Sequence, residues 1–445
     1  MIAPLICSVL ALSLSAAPAK KPTGVFPYPM KVSTLKNGLT VVRVPFDSPG
    51  LIAYYTVVRV GSRNEIEAGH TGFAHFFEHM MFRGTKRFPE GSRVAALAKL
   101  GFNENAFTSD DATVYLVNGP ASALETVVDL EADRFAHLEY AEPAFQTEAQ
   151  AVAGEYQKNA SNPSRKLEEV LLGAAFTTHT YRHTTLGFLE DITEMPKRYE
   201  YSKSFFQRWY TPDNCVVVLV GDFDDAKAMA HFEKYYGPWT GKAAKIEIPV
   251  EPPQKAARAV TLAWPTPTLP RVALAWHTPA SAPKTMDAAI QQVLASYLVG
   301  PTSPLYRSLV LEQQLVEQVG TLYEAHRDPY FFGLSAKLKT EANRAPVTAA
   351  MLAAIADVAA GKIDSKRLDD IKSNLRYRML MDLETPSQIA EAIAWNVGTF
   401  GTTDAIDTLF AHVAKVTAKD LTTFAKQHLV DSNRTTLTFT AEASK

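Results

Sequence analysis

Residues His75-Phe76-Phe77-Glu78-His79 hold the side chains that metal-assisted hydrolysis needs. On a helix, positions four apart share a face, so His75 and His79 can offer two imidazoles to one ion, a geometry that suits zinc. Glu78 adjoins His79 and stands three residues from His75. Its carboxylate can border the same ion and take a proton from the attacking water. The order is the inverse of His-Glu-x-x-His. One protein ligand is still missing. Residues 143–160 read as a long helix with Glu148 and Glu155 seven apart, and so on one face. Spacing alone does not choose between them, nor prefer them over Glu131 or Glu142.

The elements that must position these groups are legible in outline. Residues 71–83 have a helical pattern, and Phe73, Phe76, Phe77, Met80 and Phe82 give apolar bulk on several faces. A helix of that kind is buried, and buried imidazoles and carboxylates need partners. Residues 33–45 read as a hairpin turning at Lys36-Asn37-Gly38, and residues 51–60, 111–117 and 216–220 as strands. Residues 91–100 and 121–138 have helical periodicity. Pro249, Pro252 and Pro253 mark residues 241–258 as an extended linker between halves of similar size. The halves repeat faintly. Phe205 to Asn214 precedes the strand Val216–Val220, as Phe424 to Asn433 precedes Thr435–Phe439. Long helices end at Asn162-Pro163-Ser164 and at Thr385-Pro386-Ser387. The expected fold class is α+β: two copies of one unit, each a mainly antiparallel sheet with helices on one side.

Other readings of the chain are weaker. It has 445 residues, 47% hydrophobic and 21% charged, with 45 Lys+Arg against 47 Asp+Glu. That composition fits a globular protein of two or three domains, and the missing basic excess speaks against nucleic acid. Residues 2–19 are apolar or small, Ala17-Pro18-Ala19 has the form of a cleavage site, and Lys20-Lys21 follow. This reads as a secretory signal, with no membrane span expected after its removal. Cys7 lies within it, so the mature chain would keep only Cys215 and could form no internal disulfide. An exported chain of that kind points to a bacterial periplasm. His179 and His183 are four apart, but the threonines around them disfavour a helix, and a loop role is expected. His70 and His137 read as structural or surface residues.

The metal motif and its surroundings resemble the M16 family, the pitrilysin and insulinase-like zinc peptidases that include mitochondrial processing peptidase. Glu155 follows His79 by 76 positions and has Glu148 seven residues before it. Asn105-Ala106-Phe107-Thr108 is similar to the family's Asn-Ala-x-Thr segment. Further matches run from His179 through Gly187, Glu190-Asp191-Ile192 and Tyr210–Asn214 to Gly221-Asp222, so the resemblance spans most of residues 33–225. It implies the bacterial M16B form and a zinc-bearing endopeptidase subunit. By resemblance, Glu155 is the third ligand of one zinc ion per chain and Glu78 the general base. Glu148 orients a ligand histidine, a role that metal-site chemistry also asks for. The substrate is a peptide or unfolded protein that adds as a strand to the sheet edge at Asn105–Tyr115. Asn105 would hold it by the side-chain amide and Ala106 by the backbone, with Thr108 in the same segment.

The expected partition is a signal peptide at 1–19, an N-terminal M16 domain with the zinc site at 20–238, a linker at 239–257 and a degenerate M16 domain at 258–445. The second half lacks the metal motif, and Arg378 stands near the place of Glu155. The family's C-terminal Arg and Tyr, seven apart, correspond here to Val310 and Glu317. That departure leads us to expect a second M16-like chain that supplies the pair. The alternative reading is a non-catalytic assembly or peptide-binding subunit of the same fold.

Overall fold

The computed structural model describes residues 26–441, so the expected signal segment at 1–19 lies outside the described residues. Two sheets organise the chain. The first holds β1 (Lys31–Thr34), β2 (Thr40–Pro45), β3 (Leu51–Val58), β4 (Asn103–Thr108), β5 (Thr113–Pro120) and β6 (Cys215–Gly221), in the order β1-β2-β6-β3-β5-β4. The second holds β7 (Arg258–Trp264), β8 (Arg271–Thr278), β9 (Val316–Leu322), β10 (Tyr330–Leu338) and β11 (Arg434–Ala441), in the order β7-β11-β8-β10-β9. With β1 set aside the two orders correspond strand for strand. In each sheet one pair is parallel, β2 with β6 and β7 with β11, and the other neighbours are antiparallel. The chain is thus an α+β protein of two like units.

Helices cover both faces of the first sheet, not one. Every residue of β6 is buried, as a continuous run of β-branched residues requires when neither face meets water. Val217 and Leu219 pack into the core beneath α1 (Phe73–Met80) and α2 (Glu142–Ala160). Val216, Val218 and Val220 face the helix Pro386–Phe400, which comes from the second half and presents Ile389, Ile393 and Val397. The exchange is reciprocal. Helix α3 (Pro163–Ala175) of the first half lays Leu167, Leu171 and Leu172 on Leu437 and Phe439 of the second sheet.

Charged groups join the halves just past the end of β4. His326 Nε2 lies 2.9 Å from Asp110 Oδ2, and its Nδ1 lies 3.0 Å from the backbone oxygen of Glu324. Asp110 is ionised, held below its ordinary pKa by the His326 and Ser62 bonds against the cost of its burial. Both ring nitrogens therefore face acceptors, and His326 must carry both protons. Burial opposes that charge, but Asp110, Asp111 and Glu324 outweigh it and raise the His326 pKa. A histidine with a raised pKa contributes stability that is present at low pH and lost as pH rises through its folded-state value. We expect the urea midpoint of the wild type to fall above neutral pH. The corresponding fall should be smaller in His326→Gln. Denaturation followed at pH 6 and pH 9 checks this, and parallel profiles for the two proteins would contradict it.

Candidate metal centre

The helix α1 carries the metal motif, and its placement is fixed at both ends. Its apolar face is closed off by Phe73, Phe76, Phe77 and Met80, each buried. Such burial contributes about 1.5–3 kcal/mol per side chain. At its start, Gly72 has φ 88° and a Cβ there would sit 2.5 Å from Leu186 O. At Gly187, with φ 86°, a Cβ would likewise crowd Gly72 N, at 2.7 Å. Two glycines thus let the segment Thr184–Leu186, which lines the site, lie directly on the first turn of α1. The buried Glu65 carboxyl accepts from the N–H groups of Gly72 at 2.8 Å and Ala74 at 2.7 Å, while burial pushes its pKa up to about 8. Tyr115 of β5 donates its hydroxyl to Phe77 O at 3.0 Å and so ties the helix to the sheet.

On the open face of α1 the sequence-predicted groups converge. His75, His79 and Glu155 each offer one ligand atom, all within 4.8 Å of one another. Glu155 Oε2 stands 3.8 Å from His75 Nε2 and 3.5 Å from His79 Nε2. Atoms bound ~2.0–2.1 Å from a tetrahedral ion are separated by about 3.3 Å, so this set is close to closing on zinc. Burial lowers the His75 pKa to about 3, which keeps its imidazole neutral and able to donate a lone pair. The donor chemistry, two imidazoles and one carboxylate, fits the metal that the motif implies.

Glu148 and Glu155 occupy different places. Glu148 Oε1 lies 2.9 Å from His79 Nδ1, which turns the Nε2 of that ring toward Glu155. This bond raises the His79 pKa, as expected of a carboxylate behind a ligand imidazole. Glu148 is itself held by Arg83, whose Nε donates to Oε2 at 2.7 Å. Sequence reasoning passed over Arg83, which stands just past the end of α1 at Met80, where helical spacing no longer places it.

Glu78 lines a cavity of about 390 Å³ together with His75, Glu155 and Phe107. Burial pushes its pKa up, opposed by a hydrogen bond from Thr108. The Thr108 hydroxyl donates to Glu78 Oε2 at 2.7 Å. Thr108, grouped above with the substrate residues, therefore has its side chain on Glu78. Asn105 and Ala106 lie on β4, the edge strand, beside a second recess that shares Glu78 and Ala106 with the first. The Asn105 side-chain oxygen accepts from Ala106 N–H at 2.9 Å.

From the second half, Glu324 and Trp395 reach the cavity, while Val310 and Glu317 are not among its lining residues. Val310 packs against the second core, and Glu317 pairs with Lys337 at 2.7 Å. Arg307 pairs with Glu312, and the Tyr323 hydroxyl donates to Ala288 O. His179 and His183 lie around a short turn, where His179 pairs with Asp328 at 3.0 Å.

Two family models match this chain. Residues 53–187 match the family model described as insulinase (peptidase family M16), and residues 198–375 match the M16 inactive domain. A Helicobacter pylori protein named zinc protease PqqE is 30% identical over 372 residues, covering 81% of this chain and 82% of that one. The crystal structure of a protease from Helicobacter pylori superposes with a TM-score of 0.87 at 27% identity, covering 93% of this chain and 99% of that one. A putative M16-like peptidase from Alicyclobacillus acidocaldarius shares the fold, with a TM-score of 0.83 at 21% identity over 94% of this chain and 99% of that one.

Proposed function

The chain belongs to the M16 peptidase family, and on that premise we propose that it is a zinc-dependent endopeptidase, or the zinc-bearing subunit of one, acting on unfolded peptides. The observation that carries this reading is the convergence of His75, His79 and Glu155, with Glu78 beside them, where two adjoining recesses meet at an open sheet edge. Zinc held by His75, His79 and Glu155 would supply Lewis acidity to the reacting carbonyl and water. Glu78 accepts the proton of the attacking water and returns it to the leaving amine. Glu148 fixes the tautomer and tilt of His79. A peptide pairs with β4 as an added strand, displacing the Asn105 amide from Ala106 N–H so that both groups turn to the substrate. The two recesses that meet at Glu78 and Ala106 then receive the chain on either side of the scissile bond.

The second half leaves this machinery short of donors for the developing oxyanion. A preorganised donor contributes about a hundredfold in rate, and Val310 and Glu317 offer none. We therefore propose a second M16-like chain with an Arg/Tyr pair as partner. The apolar N-terminus supports export to a bacterial periplasm. Among the described residues, no helix is long and apolar enough to cross a membrane.

The test uses a reduced and alkylated, permanently unfolded protein as substrate, with products mapped by mass spectrometry. We expect slow internal cleavage by the purified chain, abolished by a chelator and restored by zinc. Co-expression with a partner of the stated kind should raise the rate at least ~tenfold, a fraction of one donor's value. No cleavage under either condition would favour the non-catalytic subunit. Fast cleavage by the isolated chain, unchanged by any partner, would remove the need for the second chain.

A further inference from the structure

Building on the reading of Glu78 as general base, we propose that Thr108 is the residue that positions it. Among the described residues, the Thr108 hydroxyl is the one side-chain group that hydrogen-bonds the Glu78 carboxylate, donating to Oε2 at 2.7 Å. A carboxylate only accepts, so the direction of this bond is fixed. Glutamate has several rotatable bonds between backbone and carboxylate, and leaving them free costs a catalytic group its aim. With Oε2 accepting from Thr108, Oε1 is the less engaged oxygen and the one turned to the attacking water in this reading.

The anchor is well chosen. Thr108 closes β4, where it pairs with Thr113 of β5. The same strand is braced from below, since Glu104 pairs with Arg93, and Arg93 is also bound to the buried Glu131 at 2.9 Å. The strand proposed to align the peptide is therefore the strand that aims the base. Substrate and base share one rigid reference, and their relative placement does not depend on α1 alone.

The test compares Thr108→Val, which keeps the shape and removes the donor, with Thr108→Ser, which keeps the donor. We expect Val to lower kcat at least ~tenfold, a part of the ~10²–10⁴ that a positioned base supplies. KM and zinc content should stay within about twofold, and Ser should restore most of kcat. High-resolution crystal structures of the wild type and of Thr108→Val give a readout independent of turnover. The Glu78 carboxylate should face Thr108 in the first and lose its single orientation in the second. A Val variant with unchanged kcat, a Ser variant as slow as Val, loss of zinc, or an unmoved Glu78 would overturn the assignment. Absence of cleavage by the wild type, or cleavage by Glu78→Gln at the wild-type rate, would instead remove the endopeptidase reading. The crystallographic comparison would still decide whether Thr108 orients the side chain.

Discussion

Glu78→Gln should bind one zinc per chain and bind peptide with little change, yet hydrolyse it about a thousandfold more slowly, within the ~10²–10⁴ range of general-base catalysis. Gln keeps the size of the side chain and can still accept from the Thr108 hydroxyl through its amide oxygen. It cannot take a proton from water. The metal set is untouched, because Glu78 is not one of the three ligand residues that converge. Peptide affinity should persist as well, since the β4 edge with Asn105 and Ala106 is unaltered. Zinc content by metal analysis, peptide affinity by calorimetry and cleavage rate, taken on one preparation, separate the three properties. Loss of zinc in this variant would make Glu78 a ligand and overturn its role.

His79→Ala should abolish stoichiometric zinc. Two protein ligands, His75 and Glu155, would remain, and a zinc site that must also hold substrate uses three. The same change frees Glu148, which loses the imidazole at 2.9 Å but keeps Arg83. Because Arg83 continues to satisfy that carboxylate, the variant should fold, with a stability cost of only ~1–3 kcal/mol for the lost hydrogen bond to a charged group. Metal analysis after exchange into zinc-buffered solution reads the first effect, and thermal unfolding the second. Full zinc occupancy in folded His79→Ala would contradict the ligand set.

Much of this centre was legible in the sequence because its parts are local. The spacing of His75, Glu78 and His79 needs only a helix to place them, and the phenylalanines around them say that the helix is buried. Glu148 and Glu155 were visible as one face of one helix. Spacing did not divide their labour, which only the family resemblance implied, because it depends on which ring atom of His79 each carboxylate meets. The run Val216–Val220 read as a strand, and β6 spans it as Cys215–Gly221, yet its unbroken apolar character also meant that both faces are covered. The covering helix, Pro386–Phe400, is remote in the chain, so the expectation of helices on one side failed at that point. Pairing of Asp110 with His326, 216 residues apart, leaves no local trace at all. The Thr108–Glu78 bond joins a strand end to a helix 30 residues earlier, and only the three-dimensional packing of β4 against α1 reveals it.

The endopeptidase reading depends on one zinc ion sitting among His75, His79 and Glu155. Diffraction data collected at the zinc absorption edge from crystals of the zinc-loaded wild-type protein locate that ion directly. The expected result is one strong anomalous peak at bonding distance from His75 Nε2, His79 Nε2 and a Glu155 oxygen, with Glu78 and Glu148 outside its coordination. A peak elsewhere in the molecule, no peak at all, or Glu78 bound to the metal would contradict the account.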